Sequence, residues 1–334
     1  MKLTLCTVTP VFRGEKYLRE LVTELSRVRT EWEQQNAPIE LLESIFVDDG
    51  AVDGSSELLA ELSEEHSWVT VVTLSRNVGQ HSATVAGICH SSADWVATLD
   101  EDLQHHPAEI KGLLARVIKA GADVCYASPK NPVHCDSWRD RASVWTKSTL
   151  ARLAHAPQIK EFNSFRLIRG SIARAAAASS SSQTYLDIAI SWFTNSWVSV
   201  EIDMEDERFV EGKSSGYGLG GLIRHARHLL VSSSLDIASK GLMVGAGSVL
   251  LAALLSVFVI FQKLLFPESI DSVGWASLVA ITSFFGGVII ALLCIALEYL
   301  NVLVLNQLGK PTFFTVDRSG DTLLLEWLVD SETA

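Results

Sequence analysis

Short apolar runs alternate with helical patterns through the first 127 residues. Leu3–Thr9, Ser44–Val47, Val69–Leu74, Trp95–Leu99 and Val124–Ala127 are rich in β-formers, and Tyr17–Val28 and Ser55–Glu64 between them carry helical spacing. That order predicts an α/β fold, a parallel sheet with helices on both faces. The stretch 128–160 is polar and irregular, broken by Pro129, Pro132 and Pro157, and holds Lys130, Arg139, Arg141 and Lys147. Four alanines followed by four serines at 175–182 predict a helix end running into a loop.

The pattern changes near the carboxyl end. Leu242–Phe261 is 20 residues without a charge, about 30 Å as a helix. Trp275–Leu297 is similar, and the short connector Gln262–Gly274 has one cation, Lys263. Two membrane-spanning helices are expected; the alternative is a buried helical hairpin in a soluble protein. Arg224, Arg227, Lys240, Lys310 and Arg318 flank the pair, which by the positive-inside rule puts both termini in the cytoplasm. Leu222, Ile223, Ala226, Leu229 and Leu230 recur at helical spacing opposite Arg224, His225, Arg227 and His228. They predict an interfacial amphipathic helix on membrane lipids, or else an ordinary surface helix.

Composition narrows the class. The 334 residues suffice for a catalytic domain and something smaller. Mean hydropathy is +0.24, and the apolar excess lies after residue 241. Net charge is −12, with −7 in 1–240 and −5 in 241–334. No global basic field exists to collect phosphates, so a nucleic-acid partner is not expected. Cys6, Cys89, Cys125, Cys135 and Cys294 lack metal-ligand spacing and read as reduced, buried thiols of a cytosolic compartment. The amino terminus enters a strand pattern directly, so no cleavable signal peptide is expected.

The strongest chemical signal is Leu99-Asp100-Glu101-Asp102-Leu103-Gln104 after the fourth apolar run. In extended backbone, an i, i+2 pair of aspartates points both carboxylates to one side. The carboxyl end of a strand in an α/β sheet is where ligands bind. Paired hard oxygens suit Mg²⁺ or Mn²⁺, which in turn holds a diphosphate. The plainer reading is an acidic turn that caps the helix opened by Pro107.

Other motifs stand in order around it: Thr9-Pro10-Val11-Phe12, Val47-Asp48-Asp49-Gly50, Ser75-Arg76-Asn77-Val78-Gly79-Gln80, Asn163-Ser164-Phe165-Arg166-Leu167, and Arg208 with Gly212-Lys213-Ser214-Ser215-Gly216-Tyr217. With the carboxyl-terminal apolar pair, they resemble the family 2 glycosyltransferases, and within them the polyprenyl-phosphate glycosyltransferases of the dolichol-phosphate mannose synthase type. The resemblance implies a GT-A type, Rossmann-like, mostly parallel sheet. It implies a catalytic domain at 1–218, juxtamembrane amphipathic helices at 219–241, membrane helices at 242–261 and 275–298, and a cytoplasmic tail at 299–334. Lys310–Trp327 in that tail could form a strand pairing with a neighbouring subunit.

The resemblance also implies roles. Pro10 and Phe12 would line the base pocket, Asp48 or Asp49 would receive the base, and Arg76 and Asn77 would support the nucleotide. For Asp48 and Asp49 the plainer reading is an Asx turn; for Arg76 it is a structural salt bridge. Asp100 would contact ribose or metal, and Asp102 and Gln104 would bind Mg²⁺ or Mn²⁺. Arg139, Arg141, Arg166, Arg208 and Lys213, with Ser214, would hold the acceptor phosphate; each cation alone reads as a surface charge. The expected reaction is inverting transfer of one sugar from a nucleotide-sugar, UDP-hexose favoured, to a polyprenyl phosphate at the cytoplasmic membrane face. The rivals are a hydroxyl acceptor such as diacylglycerol, and an inactive membrane scaffold. The chain departs from the family pattern at Arg13-Gly14 (often Asn-Glu, with Glu15 a candidate substitute in the nucleotide site), at Glu101 (usually small), at Ser164 (commonly Asp) and at the extra Gly216.

Overall fold

The computed structural model describes residues 2–129, 163–180, 186–202, 237–266, 274–307 and 320–333. The chain divides into two units. One comprises Met1–Arg152, Ala156–Ser232 and Lys310–Ala334, the other Leu153–His155 and Ser233–Gly309.

The first unit is built on a seven-stranded sheet. Its strands are β1 (Leu3–Val11), β2 (Ile39–Asp48), β3 (Val69–Thr73), β4 (Trp95–Thr98), β5 (Val124–Pro129), β6 (Arg166–Arg169) and β7 (Trp197–Ile202). They lie in the order β3-β2-β1-β4-β6-β5-β7. All pairings are parallel except those of β6, which runs antiparallel to β4 and β5. The expected mostly parallel α/β sheet is therefore present. β1 is buried from Leu5 to Val11 because both of its faces are covered.

On one face pack α1 (Leu18–Gln34), α2 (Ser55–Glu65) and α4 (Ile110–Lys119), around Leu21, Trp32, Phe46, Leu59 and Leu113. On the other pack α3 (Gln80–His90), α5 (Gly170–Ser179) and α6 (Leu186–Phe193), around Val8, Val47, Ile88, Tyr126 and Ile172. The alanine run accordingly ends a helix at Ser179.

A last helix, α9 (Asp321–Thr333), closes the first face. The strand expected over Lys310–Trp327 is thus a helix in its described part. Leu324, Trp327 and Leu328 fall at helical spacing, and Asp321 in the first turn suits the positive end of the helix dipole. Leu324 and Leu328 are buried in the core, and Trp327 meets Trp32 edge-on at 6.4 Å. Arg169, buried beneath Trp95, joins Asp123 at 3.3 Å to Asp321 at 2.8 Å.

Cys6 and Cys125 are buried, and burial pushes both thiols up to about 12. Cys89 is exposed and Cys294 only half-buried, which corrects the expectation for those two; Cys135 lies outside the described residues.

The second unit contains α7 (Ile237–Leu265) and α8 (Trp275–Gln307), both longer than the expected spans. They approach closely at small residues: a Cβ on Gly287 would lie 2.7 Å from Val249 Cγ2 and 3.1 Å from the Gly245 carbonyl. Among the described residues one helix stretch, Gly245–Gln262, is long and apolar enough to cross a membrane, and Ile281–Leu297 is a shorter apolar stretch. Leu250, Leu254, Phe258, Phe261, Phe285 and Leu292 are exposed. The amphipathic segment expected at 219–241 lies outside the described residues up to 236, and α7 begins within its last turn.

Candidate active site

The carboxyl ends of β1, β2 and β4 converge because these strands are parallel neighbours, and the loops leaving them hold one another. Asp49 N–H donates to the Val11 carbonyl at 2.8 Å and Leu99 N–H to that of Val8 at 3.0 Å. Asp48 accepts from Ala51 N–H at 2.9 Å and from the Ser56 hydroxyl at 2.6 Å, tying the strand end to the turn that leads into α2. Asp49 accepts from Val78 N–H at 2.7 Å and Gly79 N–H at 2.9 Å, fastening the loop after β3. Gly50 sits at φ +68°, with a Cβ position 3.0 Å from Asn77 N, so both backbone conformation and space favour glycine there.

Asp100 and Asp102 do not continue an extended strand. β4 ends at Thr98, and the two carboxylates reach one cleft through a turn in which Leu103 adopts φ +60°. That conformation costs a non-glycine residue about 1 kcal/mol, held here by the bonds around it. Gln80 Nε2 donates to Asp100 Oδ1 at 2.5 Å, and the Ser164 hydroxyl to Oδ2 at 2.8 Å. Gln104 N–H donates to Asp102 Oδ1 at 3.3 Å. Beneath them His105 is buried, stacked on Phe165 at 5.0 Å and 3.7 Å from Asp100 Oδ2. Burial lowers the His105 pKa, against the opposing pull of Asp100 and Asp102.

Pro10, Val11, Phe12, Asp49, Asn77, Gly79, Gln80, Asp100, Glu101 and Asp102 line a cleft of about 310 Å³. The turn thus brings together Pro10, Phe12, Asp49, Asn77, Asp100 and Asp102 as a site. Four other expected residues stand elsewhere. Asp48 is spent in its turn, and Gln104 is half-buried outside the cleft lining. Glu15 accepts from Gly54 N–H at 3.0 Å and bridges two loops. Arg76 borders an adjoining surface cavity with Leu74 and Ser82, which shares Asn77 and Gly79 with the cleft.

Arg166 also differs from expectation. It pairs with Thr98 in the β6–β4 ladder, is 6% exposed and forms an ion pair with Asp187 of α6. Strand alternation turns Phe165 and Leu167 to one face and Arg166 to the other, where a buried guanidinium requires a carboxylate. Arg139, Arg141, Arg208, Lys213 and Ser214 lie outside the described residues. Gln80 and Ser164 were not expected to touch Asp100. The available signals were Gln80 closing the third motif and Ser164 standing where the family commonly has Asp.

Among the described residues no group of three or more His, Cys, Asp or Glu side chains forms a metal cage. Two hard carboxylates facing an open, partly polar cleft nonetheless fit Mg²⁺ or Mn²⁺ of the kind that completes its shell with phosphate oxygens and water.

Residues 6–176 match the sequence profile of the family described as "Glycosyl transferase family 2". Undecaprenyl-phosphate 4-deoxy-4-formamido-L-arabinose transferase of Pseudomonas aeruginosa (strain LESB58) is 30% identical over 311 residues, 92% of this chain and 88% of the relative. The Proteus mirabilis (strain HI4320) protein of the same name is 28% identical over 309 residues, 92% and 91% of the two chains. Among solved structures, glucosyl-3-phosphoglycerate synthase from Mycobacterium tuberculosis, in complex with Mn²⁺, uridine diphosphate and phosphoglyceric acid, gives a TM-score of 0.46 at 14% identity, covering 69% of this chain and 77% of that one.

Proposed function

The chain belongs to glycosyl transferase family 2 and is a glycosyltransferase; on that footing we propose that it moves one sugar from a UDP-sugar to undecaprenyl phosphate or a related polyprenyl phosphate. The donor reading is carried by one observation: Asp100 and Asp102 share a cleft with Pro10, Phe12, Asp49 and Asn77. The names of the two relatives support the lipid acceptor.

A phosphate monoester is largely dianionic at neutral pH, since its second pKa is about 6. It is already a nucleophile and needs no strong general base. Its oxygen bonds to the anomeric carbon while the bond from that carbon to the donor diphosphate breaks, its electron pair leaving with the nucleoside diphosphate. Attack from the face opposite the leaving group inverts the anomeric centre. No proton need move.

The chain's own groups then have three tasks. Pro10, Phe12 and Asn77 position the nucleoside, with Asp49 fixing the Asn77 loop. Gln80 and Ser164 hold Asp100 in one orientation beside Asp102. Arg139, Arg141, Arg208 and Lys213, with Ser214, bring the acceptor phosphate into line, while Arg166, pinned by Asp187, supports β6 beneath. Asp100 and Asp102 would hold a divalent cation, which would neutralise the charge growing on the departing diphosphate. The apolar helices α7 and α8 anchor the chain in the membrane, and the basic flanks place its catalytic unit and both termini on the cytoplasmic face.

The test uses membranes bearing the full chain, Mn²⁺, a panel of labelled UDP- and GDP-sugars, and either undecaprenyl phosphate or diacylglycerol. Label entering the polyprenyl phosphate, and lost with EDTA, is the expected result. Label entering diacylglycerol instead would establish a hydroxyl acceptor. Absence of transfer and of nucleotide binding would leave an inactive scaffold.

A further inference from the structure

Glu101 stands between the two cleft aspartates, yet its carboxylate is used by another loop. Oε2 accepts the N–H of Phe12 at 2.8 Å, and Arg13 N–H lies 3.2 Å from both oxygens. Gly14 makes room for this contact. A Cβ at position 14 would sit 2.8 Å from Glu101 Oε2, 3.3 Å from Glu101 Cβ and 3.2 Å from Leu18 Cγ. On the far side of the same loop, Glu15 accepts from Gly54 N–H at 3.0 Å and its own N–H points to Asp53 Oδ2 at 3.4 Å. The segment Phe12–Glu15 is therefore pinned at both flanks by carboxylates. Phe12 is a wall of the cleft, and the Arg13 guanidinium lies 5.4 Å from its ring.

Three of these positions are where the sequence departs from the family's usual pattern: Arg13, Gly14 and Glu101. In the fold they form one feature, a long carboxylate reaching into space that a side chain at position 14 would fill.

We infer that Glu101 is a positioning residue for the donor site, locking the Phe12 wall to the Asp100–Asp102 turn through the space left by Gly14. Base-side wall and diphosphate-side carboxylates are thereby held as one preorganised body. Bonds from backbone N–H groups to an ionised carboxylate are among the stronger hydrogen bonds, and loss of this one frees a wall of the cleft. This rests on the donor reading proposed above.

The experiment uses the full-length chain in detergent micelles with UDP and Mn²⁺, comparing wild type with E101Q, E101A, G14A and the double variant G14A/E101A. Hydrogen exchange at the Phe12 and Arg13 amides is followed in parallel. For E101A, the UDP Kd and the donor KM are expected to rise about tenfold, the worth of one charge-assisted bond, with kcat and acceptor KM unchanged. Exchange at both amides accelerates. E101Q keeps an acceptor for Phe12 N–H and recovers most of the affinity. G14A also weakens UDP binding, because its methyl group displaces the Glu101 carboxylate, while G14A/E101A binds no worse than E101A. An unchanged UDP Kd in E101A, unchanged amide exchange, or additive losses in the double variant would each overturn the inference. If wild type binds no UDP at all, the donor reading falls by itself, and amide exchange in E101A still decides whether Glu101 holds the loop.

Discussion

Ser164 donates its hydroxyl hydrogen to Asp100 Oδ2 at 2.8 Å, across 64 positions of sequence. The contact follows from the antiparallel β6, which brings residues 163–165 alongside the end of β4, where the Thr98 hydroxyl donates to the Ser164 carbonyl. A residue that differs from the family pattern is thus tied directly to one of the two cleft aspartates.

Ser164→Ala should therefore reduce metal-dependent transfer without unfolding the chain. One hydrogen bond to a charged group is worth about 1.5–3 kcal/mol, a loss of about 10- to 100-fold. The decline should appear as a higher Mn²⁺ requirement in steady-state assays. A variant with an unchanged Mn²⁺ titration would show that Gln80 alone suffices to orient Asp100.

Asp102→Asn should keep the thermal melt close to that of wild type, because the amide oxygen can still accept from Gln104 N–H. Turnover should fall by about 1,000-fold or more, given the several kcal/mol that a bound cation contributes to a developing charge. Full activity in this variant, assayed with saturating Mn²⁺, would refute the metal assignment.

Arg169→Ala should destabilise strongly. Asp123, 2% exposed, would lose the cation that faces it, and Asp321 would lose the Nη2 that donates to both of its oxygens. Removing one member of a buried ion pair costs about 3–5 kcal/mol. Asp321→Asn, at the more open end of the cluster, should cost less. Thermal melts of the full chain decide both, and equal melting points for wild type and Arg169→Ala would contradict the packing of α9.

Glu43 gives a pH-dependent prediction. The register of β1 against β2 shifts between Leu5 and Cys6, setting Glu43 opposite Cys6. Burial raises its carboxyl pKa above 4.5, with the Cys6 thiol, the Ser92 N–H and His90 partly opposing. The folded chain therefore holds this proton to higher pH than the unfolded chain does. Stability associated with Glu43 is intact below about pH 4.5 and falls as pH rises through the folded value. Glu43→Gln should raise the melting midpoint at pH 7.5 and leave it unchanged at pH 4. An equal shift at both values would remove ionisation as the cause.

The first five strands were legible as short apolar runs, Leu3–Thr9 and Trp95–Leu99 among them, whereas β6 and the edge strand β7 carried no such signal. Asp100 and Asp102 were legible as a pair, although the turn that joins their side chains, with Leu103 left-handed, was not; extended spacing gave the right neighbours for the wrong geometry. Asp48 and Glu15 show the limit of motif transfer. The partners that take up their oxygens, Ala51 and Ser56 for Asp48 and Gly54 for Glu15, are no part of the motif. Arg166 carries the same lesson for cations: its burial depends on Asp187, 21 positions away. The stretch Lys310–Trp327 could read as a strand, yet from Asp321 it is helix; a short apolar run such as Leu323–Leu325 does not by itself separate the two.

α9 has a consequence for biosynthesis. Leu324, Leu328 and Asp321 complete a core and an ion cluster begun by Trp32, Asp123 and Arg169, yet α7 and α8 come between them in the chain. During translation at about 5–20 residues per second, the sheet must wait, with one flank uncovered, until both apolar helices have left the ribosome. A nascent chain stalled after residue 307 would hold every described strand and still present Trp32 and Arg169 to chaperones and proteases.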